Sequence, residues 1–108
     1  MNIVVLQTDI YWADIEANLA KLDSMVDDAP AEAELIVLPE MFSTGFCMDA
    51  ERVALPNGGE VLGWMQRKAI ARSCAITGTV AVSDAGRYFN RMYFVFPDGT
   101  YRTYDKRH

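Results

Sequence analysis

The sequence predicts an α/β domain on a mixed parallel and antiparallel sheet, and three observations carry that expectation. Ile3–Leu6 and Leu35–Leu38 are near-continuous apolar runs, the pattern of parallel strands covered on both faces. An amphipathic segment of helical period lies between them, as a parallel crossover requires. From Ala75 onward, short β-rich runs separated by turn residues replace the helical period, which reads as a meander.

The first strand is expected over residues 3–6, followed by an aromatic-rich loop, Thr8–Trp12. A helix then starts near Asp14. Ile15, Leu19, Leu22 and Val26 fall at spacings of four, three and four, one helical face, with Glu16, Asn18, Lys21 and Asp23 on the other side. Asp27–Pro30 ends it, since proline cannot continue a helix and disfavours helical geometry just before it. Leu35–Leu38 is the second strand and Met41–Phe46 a loop whose Ser, Thr and Gly break any period. Asn57, Gly58 and Gly59 precede a second helix of about 15 residues, with Val61, Leu62, Met65 and Ala69 as its buried face. Ala75–Val82 is the third strand, Ser83–Gly86 a hairpin connection, and Arg87–Phe96 a fourth strand with Tyr88, Met92, Phe94 and Phe96 on one side. Pro97, Asp98 and Gly99 form a strong turn signal, and Tyr101–Tyr104 is a short fifth strand. Two helices cannot cover both faces of such a sheet, so one apolar face is left for a partner chain or further sequence to cover.

Bulk properties narrow the function classes. Of 108 residues, 51% are hydrophobic and 23% charged, an ordinary globular balance with one small domain or part of a larger one as its scale. The net charge of −5, with both signs interspersed, leaves no basic stripe for a phosphate backbone, so nucleic acid is not an expected partner. No apolar stretch is long enough to span a bilayer, so no membrane association is expected. Met1–Gln7 lacks the basic region and cleavage site of a signal peptide, which leaves the cytoplasm as the expected location and free thiols as the expected state of Cys47 and Cys74.

Glu40 is the foremost candidate for chemistry. It follows an apolar strand, where ligands collect in open α/β sheets, and the nearby Trp12, Phe42 and Phe46 provide apolar surroundings. A carboxylate partly desolvated there suits a general base, and Phe42 and Phe46 are the expected substrate contacts. The plain alternative is a solvated loop carboxylate or a helix cap. Lys106 is the second candidate, a fixed cation able to stabilise an oxyanion, against the alternative of an ordinary surface lysine. Cys47 lies close in sequence to Glu40, whereas Cys74 precedes a buried run and reads as a small core residue. The single histidine, His108, has no triad spacing. Cysteine and histidine positions show no metal-ligand spacing, and no phosphate-binding glycine pattern occurs, so neither metal nor cofactor is expected.

These residues bear a family resemblance. Leu38–Phe46 (Leu-Pro-Glu-Met-Phe-Ser-Thr-Gly-Phe) resembles the catalytic glutamate segment of the nitrilase, or carbon–nitrogen hydrolase, superfamily, and Tyr104–His108 resembles the segment carrying its catalytic lysine. Val4–Gln7, the helix with Asn18 and Leu19, and Phe89–Tyr93 ahead of the Asp98-Gly99 turn are similar to that family too, in order along the whole chain. Glu40 to Phe46 looks most like the omega-amidase branch, which hydrolyses the terminal amide of short dicarboxylate monoamides. The resemblance implies that residues 1–108 are the N-terminal portion of an αββα sandwich, with two helices on one sheet face. It implies a Glu-Lys-Cys triad in which Glu40 is the base and Lys106 steadies the tetrahedral intermediate, acting on a small amide. The family's nucleophilic cysteine follows the lysine. Cys47 and Cys74 both precede it, so the chain alone is expected to be inactive. A homo-oligomer, or association with the C-terminal half, is expected. The competing reading is a self-standing α/β binding or scaffold domain. For a substrate carboxylate, Arg52 and Arg91 are the candidate cations, with nothing in the sequence to select either.

Overall fold

The computed structural model describes residues 1–43, 55–56, 58–84 and 86–106, excluding the side chains at 55, 56 and 106. The chain runs β1 (Ile3–Val5), α1 (Ile15–Asp28), β2 (Leu35–Val37), β3 (Leu55–Pro56), α2 (Gly59–Arg72), β4 (Ala75–Asp84), β5 (Arg87–Val95) and β6 (Tyr101–Lys106). Among the described residues these strands form one sheet in the order β1-β2-β4-β5-β6, with β3 also paired to β4. β1, β2 and β3 add in parallel, β4-β5 and β5-β6 in antiparallel. The expected mixed α/β sheet is therefore present.

Asp14 opens α1 by accepting a hydrogen bond from the Ala17 amide at 3.1 Å, satisfying one of the orphan donors of the first turn. Ala29, extended just before Pro30, closes it. Leu22 and Val26 are fully buried, with Ile15 and Leu19 packed at the margin of the core. Asn18, expected on the polar side, is instead fully buried. The reason is its three hydrogen bonds to loop backbone, described below.

In α2, Val61, Leu62, Met65 and Ala69 are buried as the spacing predicts, and Trp64 joins them. The helix ends at Ser73 in left-handed geometry (φ 49°), where the amides of Ser73 and Cys74 cap the carbonyls of Ile70 and Ala69. Polar contacts lock α2 to α1. Trp64 Nε1 donates to Asp23 at 3.0 Å, Lys68 bridges Asp23 and Asp27, and Arg72 donates to the carbonyls of Asp27, Ala29 and Pro30.

Both helices pack on the sheet face that carries Ile36, Ile76, Val80, Val82, Tyr93 and Val95. Residues opposite one another across the ladder share a face, so Ile3, Val5, Met92 and Tyr104 stand on the reverse face. They are 54%, 60%, 38% and 60% exposed. The apolar runs at β1 and β2 predicted cover on both faces; within the described residues the helices supply it on one.

β3 escaped sequence reading, since two residues ending in proline have no period and proline is confined to strand edges. β4 and β6 each run two residues beyond the expected ends. Their ladders with β5 continue through Asp84↔Arg87 and Asn90↔Lys106, so pairing holds polar residues that pattern alone assigned to turn. Among the described residues no helix is long and apolar enough to cross a membrane.

Candidate active site

Glu40 stands where β2 leaves the sheet. Leu38 N still donates to Thr77 O at 2.9 Å, continuing the ladder one residue past β2. The chain then turns at Glu40, which is exposed, and Met41 adopts φ 51°. Met41 N donates to Thr79 Oγ1 at 2.7 Å, and the Met41 side chain packs on Ala81 and Ala13. Phe42 goes the other way, fully buried against Trp64 at a ring separation of 6.0 Å. It rests on Gly78, where a Cβ would come within 2.7 Å of its ring. Neighbouring residues thus grip opposite faces of β4 and fix the exit of the chain at Glu40.

A second tie comes from α1. Asn18 Oδ1 accepts from Tyr11 N at 2.7 Å, and Asn18 Nδ2 donates to the carbonyls of Tyr11 and Ser43, each at 2.7 Å. One buried amide therefore joins the loops that follow β1 and β2, at the same end of the sheet. Nothing in the sequence marks Asn18 for this task, because a hydrogen-bonding residue within an amphipathic helix reads as solvent-facing.

Position 106 lies at the carboxyl end of β6, in register with Asn90 on β5, which pairs with Ala81 on β4. Met41 rests on Ala81, so the segment immediately after Glu40 and the backbone of Lys106 share one row of the sheet. Ala81 and Lys106 are two strand spacings apart, roughly 10 Å. Asn90, between them, is 9% exposed, and its buried Oδ1 has no hydrogen-bond partner among the described residues.

Arg91 is not placed as a substrate-carboxylate receptor. It is buried, its Nε and Nη2 both donate to the Asp105 carboxylate, and Nη2 donates also to Asp84 Oδ2 at 3.1 Å. The Asp105 hydrogen bonds, against the opposing effect of burial, hold the guanidinium firmly charged, and Arg91 in turn holds the Asp105 carboxyl below its usual range.

Of the expected substrate contacts, Phe42 serves as a core side chain, and Phe46 lies outside the described residues, as do Arg52 and Cys47. Trp12 is 60% exposed. Cys74 is buried, and burial pushes its thiol up, consistent with the core role expected of it. Among the described residues no group of acidic, cysteine or histidine side chains could hold a metal ion. An open groove of about 700 Å³ lined by Gln66, Ile70 and residues 98–101 lies at the opposite end of the sheet from Glu40.

Comparison with known proteins accords with this layout. A family model described as carbon-nitrogen hydrolase matches residues 2–108. The omega-amidase YafV of Yersinia enterocolitica is 39% identical over 108 residues, which are 100% of this chain and 41% of that protein. The 2-oxoglutaramate amidase of Bacillus subtilis (strain 168) is 28% identical over 110 residues, covering 99% of this chain and 42% of that one. Among solved structures, XC1258 from Xanthomonas campestris is a CN-hydrolase superfamily protein with an arsenic adduct in its active site. It superposes with a TM-score of 0.92 at 31% identity, over 98% of this chain and 40% of that one. The chain spans less than half the length of the relatives it matches.

Proposed function

This chain belongs to the carbon–nitrogen hydrolase family, and from that premise we propose that residues 1–108 are the N-terminal portion of an amidase in which Glu40 is the general base and Lys106 the oxyanion-stabilising cation. The observation that carries the reading is the shared row: the β2 exit at Glu40–Met41 and the β6 end at Lys106 lie at one end of the sheet, Met41 resting on Ala81 of β4, which only β5 separates from β6.

In the proposed reaction, Glu40 takes the proton of a cysteine thiol supplied by sequence outside these residues. The thiolate attacks the amide carbon, and Lys106 stabilises the tetrahedral oxyanion. The C–N bond breaks as ammonia leaves with a proton returned through Glu40. Water activated by the same carboxylate then hydrolyses the thioester. Glu40 is exposed in this chain; the desolvation that a base needs comes, in this reading, from the sequence that covers the open sheet face carrying Ile3, Val5, Met92 and Tyr104. A second copy of the protein then completes a homo-oligomer.

The substrate class follows from the relatives named omega-amidase and 2-oxoglutaramate amidase. We assign the ω-amide of a short dicarboxylate monoamide, with a cation other than Arg91 receiving the free carboxylate. No cofactor takes part in this scheme, and the reducing cytoplasm is its proposed location.

The test is hydrolysis of such a monoamide by the full-length protein, followed as ammonia release. Glu40→Gln and Lys106→Met are each expected to abolish turnover without loss of folded protein, and residues 1–108 alone to release no ammonia. Wild-type turnover by Glu40→Gln would refute the assignment of the base.

A further inference from the structure

β6 is an edge strand among the described residues, held along its length by β5 alone. Strand ends at sheet edges open most readily, yet this end carries the residue on which the proposed chemistry depends. Something must hold position 106 against fraying, and the described side chains supply a device.

Arg91, in register with Asp105 across the β5–β6 ladder, directs Nε and Nη2 to the two carboxylate oxygens of Asp105, the residue directly before Lys106. Its Nη2 also reaches Asp84 at the carboxyl end of β4. A single guanidinium, borne by the middle of β5, thereby joins the carboxyl ends of β4 and β6. Only arginine offers a planar fork able to bind one carboxylate with two parallel hydrogen bonds and still reach a second. The Arg91 side chain is 10% exposed, whereas Asp84 and Asp105 are 52% and 37% exposed. Carboxylates so open to water contribute little stability as ion pairs. What the arrangement does confer is geometry: a short edge strand whose last turn of ladder is tied from the side. The Phe89 ring lies 5.4 Å from the guanidinium, further restricting its orientation.

We propose that Arg91 is a positioning residue which, through its forked contact with Asp105, fixes the carboxyl end of β6 and so the placement of Lys106. The inference rests on the reading of Lys106 as the oxyanion-stabilising cation. Arg91 touches no reacting atom in this scheme; it acts through Asp105.

The experiment compares Asp105→Asn, Arg91→Lys and Lys106→Met in the full-length protein, measuring kcat and KM for monoamide hydrolysis together with thermal midpoint and folded fraction. Asp105→Asn keeps the shape and removes the charge, and Arg91→Lys keeps the charge and removes the fork. Misplacement of a catalytic group by about 1 Å costs on the order of 100-fold in rate. Each positioning variant is therefore expected to lower kcat by about 10- to 100-fold, with KM and folded fraction near wild type. Asp105→Glu, which restores a carboxylate, is expected to recover part of the loss. Wild-type kcat in Asp105→Asn alongside an inactive Lys106→Met overturns the positioning role and leaves the assignment of Lys106 standing. Wild-type kcat in Lys106→Met overturns that assignment itself. A kcat deficit that vanishes when rates are normalised to folded protein shows Arg91 to be merely structural and also overturns the proposal.

Discussion

The amide of Met41 donates to Thr79 Oγ1 at 2.7 Å, so the residue directly after Glu40 is pinned to the middle of β4. Both residues are buried, at 8% and 7% exposure, so water cannot replace the bond. Thr79→Val keeps the shape and removes the acceptor, leaving a buried N–H unpaired at a cost of about 1–3 kcal/mol. Thr79→Ser retains the oxygen and is expected to fall much closer to wild type. Urea denaturation of the full-length protein measures both, and equal stability of the two variants would rule out the hydrogen bond as the cause.

Gly78 is the seat of the Phe42 ring. A Cβ there would stand 2.7 Å from Phe42 Cε1 and 3.1 Å from Leu38 Cβ. Phe42 is fully buried and cannot swing aside. Gly78→Ala is therefore expected to destabilise by about 1–3 kcal/mol through overpacking. Pairing it with Phe42→Leu should cost less than the sum of the two single changes, because the smaller side chain frees the space that the methyl needs. Strict additivity in denaturation experiments would count against this contact as the source.

Asp23 links α1 to α2. The Trp64 indole N–H first, and then Lys68, hold its carboxyl below the ordinary carboxylate value. A depressed folded value means that the charged form is favoured by folding. The associated stability is present above about pH 3.9, the usual unfolded value, and is lost as pH falls through the lower folded one. Asp23→Asn keeps an oxygen for Trp64 but removes the charge facing Lys68. The stability gap between wild type and this variant should be full near neutrality and close as acid is added. A gap independent of pH between 6 and 2 would exclude the charge as its origin.

Cys74 should be inert in the native state. Burial raises its thiol, outweighing the opposing effect of Arg72, and the residue is 1% exposed. Iodoacetamide at neutral pH is expected to leave residue 74 unmodified in native protein and to alkylate it fully in denaturant, as read by peptide mass mapping. Rapid native labelling at that position would show that the β4 entrance opens far more readily than its packing implies.

Much of this architecture was legible as one-dimensional pattern. The spacing of Leu22 and Val26 marked the buried face of α1, the apolar runs marked β1 and β2, and Pro97-Asp98-Gly99 marked the turn into β6. Glu40 and Lys106 stood out through the motifs around them, and the family match over residues 2–108 bears out that resemblance. Period and motif are local properties, carried by residues adjacent in the chain.

Tertiary structure decided the partners. Asn18 turned inward because Tyr11 and Ser43 offer it backbone groups from two separate loops. Phe42 became core because Gly78, 36 positions later in the sequence, leaves room for a ring. Arg91, a candidate receptor for substrate on charge alone, is occupied by Asp84 and Asp105. Hydrogen bonds and steric fit act over a few ångströms between groups distant in sequence. Which polar side chain is satisfied, and by what, is therefore settled only when the strands take their register.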